Sequence, residues 1–427
     1  NTRWCKLSRG LGDVYKRQML RRDDVVVLAW LALLPLVGYF LLPKLGWTVL
    51  YNARLLPYWY FGMYVFAGIA LGLAVLEISR RVPLRNSVKI GLSLGAGLIV
   101  LVATVLSIHD IPGWVKWNFE GYEGKADYAE YRTLMETVDT LPPGRIMWEA
   151  NNEMNKYGTP MALMLFPYWS EGHPSMEGLF FESSLTTPFH FLNASEVSEK
   201  PSNPVRGLDY RGFNMERGIE HLAIYNVDYY VSYTEAGAEA ARAEGLTEVG
   251  VALPWRIFAL PPSSLVDVAT SEPSVWEGGG DFRDPALEWY DDVDNMDKWL
   301  VADGPADWER VAAVDDRLIS VESFAGSGVV TDVITDDHRI SFTTTAVGVP
   351  HLVKVSYFPN WTAEGAEGPY RAAPSLMVVV PTSEQVVLEF KSTSAENLGM
   401  GLSLIALVGL GVYAYRRHRH RSVANLA

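Results

Sequence analysis

"GMGLSLIALVGLGVYAY" (residues 399–415) carries no charge along its length, and "RRHRHR" (416–421) follows it at once. A run of this length and apolarity is near the shortest helix that spans a bilayer, and membrane helices tolerate glycine. Arginines directly after such a run mark a cytoplasmic end facing anionic lipid, a simpler account of the His–Arg alternation than metal binding. Three more apolar runs lie near the start. Val25–Leu42 is "VVVLAWLALLPLVGYFLL", Tyr58–Ile78 has one late acid in Glu77, and Val88–Ile108 has only Lys89. If each run crosses once, Arg21 and Arg22, then Arg80, Arg81 and Arg85, then Arg416, Arg417, Arg419 and Arg421 all fall on one face, which is the cytoplasmic one. The loop 43–57 and the segment 109–398 then lie outside, with Tyr58, Trp59, Tyr60, Trp114 and Trp117 where an outer aromatic belt would sit. Nearly no ionisable residue falls within a run, which argues against a transporter.

Charge is segregated along the chain. Of 50 acids and 36 bases, residues 1–108 hold 4 and 13, and the tail from Gly399 holds none and 4, leaving 46 acids against 19 bases between them. That sign excludes phosphate-backbone binding, so nucleic acid is not an expected partner; the lipid bilayer is. Cys5 is the single cysteine, which rules out a disulfide framework and a Cys-rich zinc site. The first eighteen residues, "NTRWCKLSRGLGDVYKRQ", lack signal-like or amphipathic order. They are expected to be a non-native leader, with the natural chain starting further upstream.

The expected fold class is an α+β membrane protein: transmembrane helices at about 25–42, 58–78 and 88–108, an exported α/β domain over 109–262, an acidic linker and helical region over 263–304, an exported β-sandwich over 305–392, and a final transmembrane helix at 399–415 before a basic cytoplasmic tail. In "DYAEYRTLMETVDTL" (127–141), Tyr128, Tyr131, Leu134, Met135 and Val138 recur at helical spacing before "PPG" stops the helix. "RIMWE" (145–149) and "WRIFAL" (255–260) read as strands. "IEHLAIYNVDYYVSY" (219–233) reads as a helix that breaks at Asn226 and feeds a buried strand, and 236–244 as an Ala/Glu helix. Alternating helices and strands make a small α/β unit. From Trp308 onward seven short β-rich runs separated by Gly, Pro and Asp read as a sandwich. "YFPNWTAEGAEGPY" (357–370) connects two of its last strands, with Tyr357, Phe358 and Trp361 stapling it to the sheet or resting on headgroups. The sequons at 193–195 and 360–362 would carry no weight if the protein were bacterial, and short sequons arise by chance.

Periodicity is lost over 157–192. A long irregular stretch in a compact domain is a place to look for function, and here it would lay an aromatic-walled groove on the membrane surface. Tyr168, His173, Glu177, Glu182 and His190 are its candidate ligand-binding residues, joined by Glu149 from the preceding strand. Asn52 and Arg54 in the loop 43–57 are candidates for an anionic headgroup, because an Arg fork pairs with phosphate oxygens. "DDVDNMD" (291–297) lacks the glycine and closing glutamate of a calcium loop, and the isolated histidines lack zinc spacing, so no metal site is expected.

"YNARLLPYWYFG" (51–62), "YGTPMALMLFPYWSEGHPSMEGLFFESSLTTPFHFL" (157–192) with "PSNPVRGL" (201–208), and "VKVSYFPNWTAEGAEGPYRAAPSLMVVVP" (353–381) together resemble the bacterial GT-C glycosyltransferase-like membrane proteins. More narrowly, they resemble the "6-pyruvoyl-tetrahydropterin synthase-related" membrane family. The final sandwich is similar to that of bacterial membrane proteins that glycosylate lipoteichoic acid. The resemblance covers most of residues 45–415. It implies a lipid-phosphate-linked sugar donor used on the outer face, a cell-envelope glycan as acceptor, and an acidic catalytic residue, often metal-assisted, in a first outer loop that is expected to lie upstream of this chain. No catalytic residue carries over. The pterin part of the family label is unsupported, since the histidine triad and cysteine of pterin synthases are missing from this sequence. Glycosyl transfer through an oxocarbenium-like state would use nearby carboxylates, and Glu149, Glu177 and Glu182 are placed for that role. The alternative reading is a non-catalytic, membrane-anchored module that binds envelope glycan or a partner protein.

Overall fold

The computed structural model describes residues 22–45, 52–81, 85–108, 110–176, 185–205, 207–314, 324 and 328–424. The expected leader lies outside them. The chain divides into two compact units, Asn1–Gly113 and Trp114–Ala427.

In the first unit the apolar runs form helices α1 (Arg22–Leu41), α2 (Leu56–Arg81) and α3 (Asn86–Ser107). Small residues let α1 and α2 approach closely: a Cβ at Gly62 would sit 2.4 Å from that of Ala32. A short helix α4 (Asp110–Phe119) follows. The last run lies within α10, the helix over Ser394–Ala424 at the end of the second unit. Among the described residues three helical stretches are long and apolar enough to cross a membrane, Ala53–Val75, Ile90–Ser107 and Ser394–Tyr413. The first expected run falls short of that length, its apolar stretch being Ala29–Lys44 with Pro35 inside the helix.

The second unit begins as the alternating pattern predicts. Helix α5 (Tyr128–Val138) buries Tyr131, Leu134, Met135 and Val138 on one face. β1 (Ile146–Trp148) pairs in parallel with β2 (Tyr229–Ser232), and β2 pairs antiparallel with β4 (Trp255–Ala259). β3 (Thr247–Ala252) closes the order β1-β2-β4-β3. Between them lie α6 (Thr187–Glu196), α7 (Met215–Ile224) and α8 (Glu235–Ala243). Asn214 and Thr234 cap α7 and α8 by accepting the amides of Arg217 and Gly237. α7 stops where Asn226 takes a left-handed φ of 51°, a conformation Asn tolerates better than most residues.

The region 263–304, expected as an acidic linker and helical region, holds one helix and also strands. It supplies β5 (Val266–Val268), β6 (Ser274–Trp276), helix α9 (Arg283–Tyr290) and β7 (Leu300–Val301). With β8 (Arg310–Val311), β11 (His351–Val353), β13 (Ala366–Ala372) and β14 (Leu376–Pro381) these strands build a seven-stranded sheet in the order β5-β11-β14-β13-β7-β6-β8. Strands of two or three residues are too short for alternation to register. The run "LISVES" lies outside the described residues. The remaining strands, β9 (Val330–Asp336), β10 (Arg339–Thr344), β12 (Trp361–Glu364) and β15 (Gln385–Phe390), form a second sheet, β12-β15-β10-β9.

The two sheets share a core. Val353, Met377 and Val379 of the large sheet are buried in one cluster with Ile340, Phe342, Val386 and Leu388 of the small one. Leu352, Leu376 and Val378, on the other face of the large sheet, join a second cluster with Leu222, Phe258 and Trp289. Burial on both faces explains why β14 reads as the unbroken run "LMVVV".

The stretch 357–370 is more than a connection. It contains β12 and the start of β13, which lie in different sheets. The crossing is made at Gly365, where φ is +76° and an added Cβ would lie 2.2 Å from the carbonyl oxygen of Gln385. Only glycine fits there. Asn360, just ahead of β12, donates to the carbonyl of Lys391 and to Glu396 Oε2, both at 2.8 Å. Thr393 and Glu396 form a capping box at the start of α10, the Thr393 amide reaching Glu396 Oε2 at 2.6 Å and the Glu396 amide reaching Thr393 Oγ1 at 3.3 Å. This stretch thus grips the first turn of the last helix through Asn360.

Candidate functional site

The residues singled out from sequence do not converge. Asn52 and Arg54 lie on the short helical turn Asn52–Leu55 ahead of α2, with Arg54 exposed. Glu149 is completely buried and fully occupied: Oε2 accepts the amides of Tyr233 and Thr234, each at 2.8 Å, and Oε1 accepts the Thr234 hydroxyl at 2.7 Å. It is an anionic stop for the N-terminus of α8, where amide donors and the helix dipole both favour a carboxylate. Gly237 is needed beside it, since a Cβ there would approach Glu149 Oε2 to 2.5 Å. The expectation that Glu149 serves sugar transfer is therefore corrected: its oxygens hold the fold.

His173 sits at the opposite end of β1. Its Nε2–H donates to the Pro142 carbonyl at 3.1 Å, its Nδ1 is 2.9 Å from Ser170 Oγ, and the Ser170 hydroxyl donates to Asp139 Oδ1 at 2.6 Å. Only 2% of His173 is exposed, so it pins the turn after α5 and does not face a ligand. His190 is buried on α6 with its ring 5.1 Å from that of Phe191. Tyr168 is exposed and meets Trp169 edge-on at 4.8 Å. Glu177 and Glu182 lie outside the described residues.

The irregular stretch is more ordered than expected: Ala162–Leu165 and Phe166–Trp169 are helical turns, and α6 begins at Thr187. It contributes Tyr157 and Trp169 to an aromatic cluster with Tyr131 and Trp255. Burial drives the pKa of Tyr131 and Tyr157 far above the usual phenol value. Glu130 is held below its usual value by hydrogen bonds from Lys156 at 2.6 Å and Tyr157 at 2.7 Å.

A cavity of about 900 Å³ opens instead among α7, α9, β5, β9 and β11. Its walls include Ile224, Val266, Trp289, Trp299 and Leu352, and the carboxylates of Glu220, Asp267 and Asp297 line it with one ammonium, Lys354. This volume falls in the range that holds a small ligand in an apolar wall with a few placed polar groups. Lys354 is 5% exposed. Its Nζ lies 2.8 Å from Asp267 Oδ2 and donates to the Ala223 carbonyl at 2.9 Å. An ammonium has three donors, so one N–H remains without a partner among the described residues.

The helices walling this cavity are locked by a charged cluster that the sequence did not disclose. Glu196 of α6 and His221 of α7 are buried and 2.6 Å apart, Oε2 to Nδ1. His221 Nε2–H donates to the Tyr290 carbonyl at 2.9 Å, and its ring stacks on that of Tyr290 at 3.7 Å. Arg217 Nε donates to Glu196 Oε1 at 2.9 Å, and Arg217 Nη2 to Asp291 Oδ1 at 3.0 Å. Glu220 and Ala223 thus face the cavity one and two residues from the locked His221, and Trp289 faces it beside Tyr290.

The only sequence signal for this site was the acidic run 291–297, which holds Asp297 and is flanked by Trp289 and Trp299. Glu220, Asp267 and Lys354 are remote from it in the chain. Among the described residues no three His, Cys, Asp or Glu side chains gather as a metal would require. No protein-family model matches the chain, nor does any curated protein or any solved structure.

Proposed function

We propose that this chain is a multi-pass bacterial membrane protein, GT-C-like in kind, whose residues 109–398 stand outside the cell and bind an envelope glycan without catalysing its transfer. The observation that carries the reading is the cavity: apolar walls suit the C–H face of a sugar ring, Lys354 has a third N–H without a partner among the described residues, and Glu220 and Asp297 offer acceptors for hydroxyls, Asp267 being engaged by Lys354 and Ser264. Three carboxylates against one ammonium disfavour a phosphorylated ligand there. A lipid-phosphate-linked donor is better met by Arg54, ahead of α2. The occupied state of Glu149 favours binding over transfer in this region.

Placement in the membrane rests on the three apolar helices and on the bases at the junction of α2 with α3 and after the apolar part of α10, which agree with one cytoplasmic side. The sugar chemistry rests on the wording of the three stretches that resemble GT-C-like proteins.

Titration of the full chain in nanodiscs with neutral envelope oligosaccharides and with their phosphorylated counterparts, followed by calorimetry, tests the reading. Neutral oligosaccharides are expected to bind, with Glu220→Gln and Asp297→Asn each weakening binding about tenfold, the equivalent of one charge-assisted hydrogen bond. Absence of any neutral-oligosaccharide binding by the folded chain would refute it.

A further inference from the structure

Helix α4 is odd for a folded protein, because none of its residues is buried. Ile111, Trp114, Val115 and Phe119 recur at i, i+3, i+4 and i+8, which puts them on one face. They are 48%, 61%, 41% and 81% exposed. Lys116 points away from that face. Trp117, on a different flank, is held: Lys125 Nζ sits 3.7 Å from the centre of its ring, donates to its carbonyl oxygen, and meets Glu120 Oε1 at 3.0 Å. One side of α4 is therefore fastened to the start of the folded domain, while the apolar side is left exposed by the described residues.

The chain itself supplies the argument for what covers that side. α4 starts at Asp110, only two residues beyond α3, whose apolar stretch Ile90–Ser107 is entirely unburied. An aromatic and aliphatic face that follows a candidate spanning helix after two residues of chain is suited to the headgroup region, where Trp and Phe are favoured and a basic residue on the opposite side stays wet. We propose that α4 lies in the outer leaflet interface, with Ile111, Trp114, Val115 and Phe119 sunk among the acyl chains, so that the extracytoplasmic domain is docked on lipid by a second contact besides its terminal helix. The inference rests on the membrane placement proposed above.

Cys5 is the only cysteine in the sequence, which makes site-directed spin labelling direct. In a Cys5→Ser background, single labels are placed by Ile111→Cys, Trp114→Cys, Val115→Cys, Phe119→Cys and Lys116→Cys, with Leu98→Cys in α3 as a bilayer control. The full chain is reconstituted in phosphatidylglycerol–phosphatidylethanolamine vesicles, and collision rates with oxygen and with a water-soluble nickel chelate are compared. The four face positions are expected to favour oxygen over nickel severalfold relative to position 116. These sites are exposed, so labelling does not challenge folding, and circular dichroism checks each variant. Nickel access at the four positions equal to that at 116, with Leu98→Cys shielded, overturns this inference alone. Nickel access at Leu98→Cys as well overturns the membrane placement with it. As a second measurement, the double variant Trp114→Ser with Phe119→Ser is expected to raise nickel access at a label on Val115→Cys; no rise would also overturn the docking.

Discussion

Replacing Glu149 separates the two roles a buried carboxylate can play. In Glu149→Ala the amides of Tyr233 and Thr234 lose their shared acceptor. A buried donor left unpaired costs about 1–3 kcal/mol, and both amides lie in a partly shielded loop, so the low half of that range applies to each, giving a loss of about 3 kcal/mol. Glu149→Gln keeps one oxygen for the two amides and an amide group for the Thr234 hydroxyl, which can turn to accept. What it loses is charge: about 1 kcal/mol between charged and neutral hydrogen bonds, and roughly 0.3–1 kcal/mol more from the N-terminus of α8. The Gln variant should therefore cost about half as much as Ala. Urea unfolding of the full chain in detergent, read by tryptophan fluorescence, gives both numbers. Glycan binding should be unchanged in whichever variant stays folded. An Ala variant as stable as the parent, or one that keeps its stability but loses glycan binding, would refute the structural assignment.

Three other outcomes follow from buried groups. His351 Nδ1–H donates to the Val349 carbonyl and its Nε2 accepts from Thr344, both at 2.7 Å, while burial holds its pKa below the usual histidine value. The unfolded chain thus takes up this proton first, so the contribution is complete above about pH 6.5 and is lost as pH falls through that value towards the folded pKa; unfolding midpoints at pH 7.5 and 5.5 should differ less for His351→Gln than for the parent. Breaking the buried Glu196–His221 pair from either side, with Glu196→Gln or His221→Phe, should cost about 3 kcal/mol, and the double variant clearly less than the sum in a double-mutant cycle. Asn360→Ala should speed trypsin cleavage after Lys391 severalfold, because it removes the tie to the first turn of α10; an unchanged cleavage rate would show that the tie bears no part of the local order.

Apolar spacing was enough to find α5, α7 and β4, since each buries one face against a single layer and its pattern survives in isolation, while α8 showed in its Ala/Glu composition. β14 was legible as a strand for the opposite reason, being apolar on both faces. β5, β6 and β7 were not, because two or three residues carry no period and a partner can be as remote as Val353 is from Val266. Glu149 looked like a catalytic candidate for the same reason that it makes a good helix stop: an acid after a buried strand satisfies either description until its donors are seen. The cavity was nearly invisible, as its polar groups come from α7, β5 and the residue after β11, and only folding sets Glu220, Asp267 and Lys354 around one space. "YFPNWTAEGAEGPY" gave its aromatic and glycine-rich character openly, yet the change of sheet at Gly365 depends on Gln385, twenty residues on.

The grip of Asn360 on Glu396 has a mechanical consequence. β15 ends at Phe390 and α10 starts at Ser394, and the few residues between are stitched down at Lys391 and Thr393. In the membrane placement proposed above, a roll or lean of the last helix would be carried by these ties to the strands they hold, β12 and β15, like torque through a keyed shaft. Val353 and Leu352 point to opposite faces of the large sheet, one towards the small sheet and one towards the cavity, so the cavity wall would move with the same shaft.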